Sequence, residues 1–138
     1  MTQTVRVNEV EIAYQWDGVS HGPVVVLNNS LMSNFNMWDD TVPALADKYR
    51  VLRYDTRGHG RSGVTPGPYS IASLAEDLIA LLDALKVNKA HVVGLSMGGM
   101  VAQYVGANYP SVYCRWACAT APAKCRRAAS GQNALPAL

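Results

Sequence analysis

Ser96 stands in the middle of Gly94-Leu95-Ser96-Met97-Gly98, a G-x-S-x-G pattern. A serine oxygen can attack a carbonyl carbon when a base takes its proton and nearby donors receive the charge that develops on the substrate oxygen. The surroundings suit that task. An apolar run at 90–95 leads into the pentapeptide and a small-residue helical stretch at 98–108 leads out. A serine between a strand and a helix sits on a tight turn. Its hydroxyl is then exposed beside the free N–H of the next residue, here Met97. Gly94 and Gly98 become steric requirements, since side chains there would collide, and Gly99 gives further room. A glycine-rich strand-to-helix turn with an idle serine fits the same five residues. A second donor for a negative oxygen should come from a loop after an earlier strand. Asn28-Asn29-Ser30-Leu31-Met32 occupies that place, with the N–H of Leu31 as the candidate. A plain strand-end turn fits there too.

The elements that must position these groups follow from periodicity. Residues 5–7 and 10–16 alternate apolar and polar positions around Asn8-Glu9, as a hairpin of half-buried strands does. Residues 24–27 form a continuous apolar run, the pattern of a strand covered on both faces. A short helix is expected over 41–47, with Pro43 in its first turn, and another strand over 49–54. The loop from Asp55 to Pro68 holds four glycines and two prolines, which excludes regular structure. Ile71, Leu74, Ala75, Leu78, Leu82 and Leu85 then recur at helical spacing, with Ser70 or the pair Ser73 and Glu76 as possible caps. A buried strand over 90–95 and a helix over 98–108 complete the series, and Pro110 stops it. Short buried strands alternating with helices imply an α/β fold, a mostly parallel sheet with helices on both faces.

Three segments in this order carry a family resemblance. They are Asn29-Ser30-Leu31 with Trp38, the stretch Tyr54-Asp55-Thr56-Arg57-Gly58-His59-Gly60-Arg61-Ser62-Gly63, and Gly94-Leu95-Ser96-Met97-Gly98-Gly99. Together they resemble the α/β-hydrolase superfamily over residues 4–110. Asn-Ser-Leu in place of a His-Gly pair, with Gly67-Pro68-Tyr69, looks most like the 3-oxoadipate enol-lactonases. The resemblance implies an α/β-hydrolase fold, of which this chain holds the N-terminal part. It also implies hydrolysis of a small carboxylic ester or lactone through an acyl-enzyme on Ser96. Leu31 and Met97 would supply the oxyanion hole, and no metal or organic cofactor is implied. Ser30, Met32 and Trp38 are candidates to line the substrate pocket. Met32 departs from the glycine expected in the lactonases and could narrow that pocket. The Asp55–Gly63 loop would be structural, tied down by Asp55 and Arg57. His59 would not be the base, because in this fold the order is Ser, then Asp or Glu, then His.

That order exposes a gap. Within the 138 residues no Asp, Glu or His follows Ser96; the last acid is Asp83 and the last histidine His91. His91 opens the strand leading to Ser96 and should lie at the far end of the sheet, and His21 falls in a surface turn. The tail also changes character. Residues 1–110 hold 8 basic and 10 acidic residues, whereas 111–138 hold Arg115, Lys124, Arg126 and Arg127, eight alanines, all three cysteines and no acid. Residues 1–110 therefore read as the N-terminal part of the hydrolase domain. Residues 111–138 read as an aberrant tail, the result of a frameshift or truncation near residue 110, so this chain is expected to be inactive alone; the alternative is a non-catalytic broken gene product or a half-domain that works only by pairing. A strand is not expected in that tail, which would leave the far edge of strand 90–95 unpaired and open to self-association.

The remaining classes find little support. Cys114, Cys118 and Cys125 match no common zinc spacing, and an odd number argues against a disulfide framework. Four scattered basic residues without an amphipathic pattern do not make a nucleic-acid or membrane surface. No run approaches the roughly 18 apolar residues of a membrane span, and the start lacks a secretory pattern, so cytoplasm is the expected location. Apolar residues at 49% and charged residues at 16% are enough to fill a core.

Overall fold

Four consecutive apolar residues, Val24 to Leu27, cannot leave one strand face wet. The computed structural model, which describes residues 1–119, covers both faces. β3 (Val24–Asn28) is buried along its whole length. Val24 and Val26 point into a core with Leu74, Leu78, Leu81 and Val105. Val25 and Leu27 point into a second core with Trp38, Val51 and Val93. The period of two in a strand is what divides them.

β1 (Gln3–Val7) and β2 (Val10–Gly18) form the expected hairpin, joined through Asn8 and Glu9, both at positive φ. A 3₁₀ turn (Phe35–Trp38) and α1 (Val42–Leu45) follow β3, then β4 (Arg50–Tyr54). α2 (Ile71–Ala84) presents Leu74, Leu78, Leu81 and Leu82 to the larger core. Its cap is Ser70, whose side chain accepts from the N–H of Ser73, while the Ser73 hydroxyl reaches back to the N–H of Ser70. That settles which of the two candidate starts the helix uses. β5 (Ala90–Leu95) and α3 (Met97–Asn108) then flank Ser96.

The sheet order is β1-β2-β4-β3-β5-β6. β2 pairs antiparallel with β1 and with β4, and the remaining pairs, β3–β4, β3–β5 and β5–β6, are parallel. α2 and α3 cover one face; α1 and the 3₁₀ turn cover the other. The register aligns strand ends. Asn28 is level with Gly94 across β3 and β5, so the loop after β3 and the turn after β5 leave the sheet side by side.

β6 (Tyr113–Ala119) differs from expectation. The segment has no Val, Ile or Leu run, yet it pairs in parallel with β5 from Ala90 to Leu95. Strand pairing is a main-chain interaction, and a strand can form where side-chain composition gives little sign of it. The far edge of β5 is therefore occupied, and the free edge of the sheet among the described residues moves outward to β6. The expectations for residues 120–138, Cys125 included, lie outside the described residues. Among the described residues no helix is long and apolar enough to cross a membrane.

Candidate active site

The turn at Ser96 is strained. Its backbone sits at φ 54 and ψ −115, a region that L-residues avoid and that costs about 1–3 kcal/mol to hold. Packing holds it there. A Cβ on Gly94 would fall into the carbonyl group of Gly98, and a Cβ on Gly98 would fall into the main chain of Asn28 and Asn29. Helix, turn and loop thus meet backbone to backbone, at separations that only glycine permits. Ser96 is exposed, and its side chain makes no capping bond to the helix. Its carbonyl accepts the first helical bond, from the N–H of Met100 at 3.0 Å. Met97, the first helical residue, has no intrahelical acceptor for its N–H. Among the described residues the arrangement leaves a free hydroxyl and a free N–H donor on adjacent positions.

The loop after β3 is anchored by two buried amides. Asn28 donates to the carbonyl of Val93 at 2.9 Å and accepts from the Tyr54 hydroxyl at 2.6 Å, which links β3 to both neighbours. Asn29 donates to the carbonyl of Tyr54 at 2.8 Å and accepts from the indole N–H of Trp38 at 2.9 Å. In the sequence these residues mark only the end of a strand. Their partners lie between 9 and 65 residues away, so composition carried no sign of them. Burial, and secondarily the charge of Asp77, push the Tyr54 phenol above its ordinary pKa and keep it a donor.

Beyond Asn29 the chain becomes exposed. Leu31 is 60% and Met32 87% accessible, and Met32 holds a positive φ of 62. Glycine adopts that conformation without penalty, which is the physical content of the glycine expected there. The N–H of Leu31 has no acceptor among the described residues. Ser30 is half-buried and turned toward Ser33 and Met37. Trp38 is buried in the smaller core, with its polar atom on Asn29. Of the three pocket candidates, then, Met32 stands in the open, Ser30 faces its own loop and Trp38 lies beneath it. An open cavity of about 340 Å³ is lined by Ile71, Met100, Gln103, Tyr104, Ala107 and Asn108, with none of the candidate residues in its wall.

The loop after β4 is held as a unit. Buried Asp55 accepts from the N–H of Phe35 at 2.7 Å and of Arg61 at 2.8 Å. Arg57 grips Asp77 of α2 through two bonds of 2.8 and 2.7 Å and donates to the carbonyl of Asn8. The Asp77 carboxylate raises the pKa of Arg57 further. His59 lies in this loop, half-buried, with Nδ1 3.1 Å from the carbonyl of Arg57. His91 sits on β5 level with Val25, edge-on to Tyr49, and His21 is exposed. Among the described residues no cluster of His, Cys, Asp or Glu could hold a metal ion.

Known proteins share this fold and much of this sequence. Residues 23–133 match the family described as alpha/beta hydrolase fold. The 3-oxoadipate enol-lactonase 2 of Acinetobacter baylyi is 40% identical over 107 residues, 78% of this chain and 40% of that protein. The crystal structure of the enol-lactonase from Burkholderia xenovorans superimposes with a TM-score of 0.81 at 41% identity, over 83% of this chain and 45% of that one. That of a hydrolase from Pseudomonas aeruginosa gives 0.81 at 44% identity, over 83% and 44%. The chain spans about two fifths of the length of the curated relative it matches.

Proposed function

This chain belongs to the α/β-hydrolase fold family, and from that premise we propose that Ser96 is the nucleophile of a serine hydrolase acting on a small carboxylic ester or lactone. The observation that carries the reading is the turn itself: an exposed serine at φ 54, free of capping bonds, between β5 and α3. Ser96 Oγ gives its proton to a base and adds to the substrate carbonyl, whose oxygen becomes negative; the leaving alcohol later takes that proton. The N–H groups of Leu31 and Met97 receive that charge, an interaction stronger in the transition state than in the ground state. Collapse expels the alcohol and leaves an acyl group on Ser96. In a lactone the leaving oxygen stays tethered, so this step opens the ring. Water then releases the acid. The likeness to the enol-lactonases of Acinetobacter baylyi and Burkholderia xenovorans favours a lactone.

The acid and base of the triad are assigned to no residue here, because no Asp, Glu or His follows Ser96 in these 138 residues. A triad without its base retains about 10³–10⁴-fold over water from binding and the oxyanion hole. These 138 residues are therefore expected to act at most slowly by themselves. That same absence favours a second reading, a chain without activity of its own that works only when paired with a partner supplying acid and base. Hydrolysis of p-nitrophenyl acetate by the wild type and by Ser96→Ala, with fluorophosphonate labelling of both, separates the two. Slow turnover and labelling that vanish in the variant are the expected result. Equal behaviour of the two proteins would discard activity of this chain by itself and leave the second reading.

A further inference from the structure

Where the N–H of Leu31 points depends on what holds the residues around it, and the main-chain N–H just before it is held by a sulfur. Met37 lies in the 3₁₀ turn Phe35–Trp38, half-buried against the smaller core. Its Sδ accepts from the N–H of Ser30 at 3.4 Å, with the Ser33 and Ser30 hydroxyl oxygens 3.2 and 3.8 Å away. Ser33 also donates to the Ser30 carbonyl at 2.6 Å, closing the loop on itself. The turn bearing Met37 is fixed independently. Asn34 caps it through the N–H of Asn36, Asp55 accepts from the N–H of Phe35, and Arg53 donates to the carbonyl of Phe35. The next residue, Trp38, holds Asn29. Two adjacent side chains of one rigid turn thus grip the loop at Asn29 and Ser30, immediately before Leu31.

We propose that Met37 is a positioning residue for the oxyanion donor: its thioether takes the N–H of Ser30 and thereby leaves the next N–H, that of Leu31, free and fixed in direction. The proposal rests on the serine-hydrolase reading of Ser96. A thioether is a weak acceptor, and methionine is commonly a gap-filler in cores. Two substitutions rank in opposite order under those roles. Leucine fills the space and accepts nothing. Glutamine packs less well but carries a carbonyl acceptor at similar reach.

If the sulfur acts as an acceptor, Met37→Leu exchanges the Ser30 amide with solvent about tenfold faster, and Met37→Gln stays within about threefold of the wild type. The Ser96-dependent rate on p-nitrophenyl acetate should follow the same order. In Met37→Leu kcat falls about tenfold with KM little changed, as for an interaction made in the transition state. A Met37→Leu protein that matches the wild type, or that protects Ser30 better than Met37→Gln, overturns the proposal. Equal hydrolysis by wild type and Ser96→Ala would sink the hydrolase reading, and the exchange order at Ser30 still decides by itself whether the Met37 sulfur holds that amide.

Discussion

Tyr54 shows how one side chain couples the strand ends to the site. Its hydroxyl reaches Asn28, its carbonyl receives Asn29, and Asn28 in turn holds the carbonyl of Val93, three residues before Ser96. The phenol is buried and its pKa is raised in the fold, through desolvation first and the charge of Asp77 second. A raised folded pKa means that this group's stabilisation is complete below the unfolded value, near 10, and is lost as pH rises above it. The melting temperature should therefore fall as pH climbs past about 10, and Tyr54→Phe should flatten that fall. At neutral pH the same variant should be less stable by about 1–3 kcal/mol, because the Asn28 oxygen is left buried without its donor. Thermal melts of both proteins from pH 7 to 11 check the two effects together. A slope unaltered by the substitution would mean that Tyr54 is not the group that titrates.

At the scale of elements, the contact that matters most joins the first turn of α3 to the end of β3. Gly98 rests on the carbonyls of Asn28 and Asn29, which are main-chain atoms of a buried strand end and cannot swing aside. Gly98→Ala should therefore cost more than about 3 kcal/mol in a urea titration, well beyond the loss expected for a helical glycine replaced on an open face. A loss below 1 kcal/mol would show that the turn can relax, and with it that the strain at Ser96 is not enforced by packing. This close approach was legible in the sequence, because G-x-S-x-G between a strand and a helix has one steric interpretation. So were the strands and helices up to residue 108, whose cores are filled by runs such as Val24–Leu27 and by the Leu74, Leu78, Leu82 stripe. The 3₁₀ turn Phe35–Trp38 was not, since four residues give no periodicity and its anchors, Asp55 and Arg53, are distant in sequence. β6 was not legible either: its evidence is a main-chain ladder with β5, and its residue types gave no sign of it. Of the candidate site, the tight turn at Ser96 and the glycines it needs were readable from spacing. The amides that hold the loop opposite them were not, because Asn28 and Asn29 resemble any polar strand ending until their partners come into view.

For the whole molecule the two sheet edges are unequal. β1 is short, mostly exposed and carries Arg6, features that discourage pairing with another chain. β6 runs for seven residues and, among the described residues, pairs with β5 only. One row of its N–H and C=O groups is then unmatched within the sheet. A parallel sheet normally has both faces covered and ends in protected edges, so an open outer strand of this length invites a further strand. A second copy of the chain is the partner always at hand, and the 138-residue protein should self-associate as its concentration rises. Light scattering over a tenfold dilution series would register the change in mass. Amide exchange locates it: residues 113–119 should gain protection with concentration while residues 3–7 do not. A monodisperse monomer at every concentration would mean that the β6 edge is already satisfied, and residues 120–138 would then be the place in this chain to look for what satisfies it.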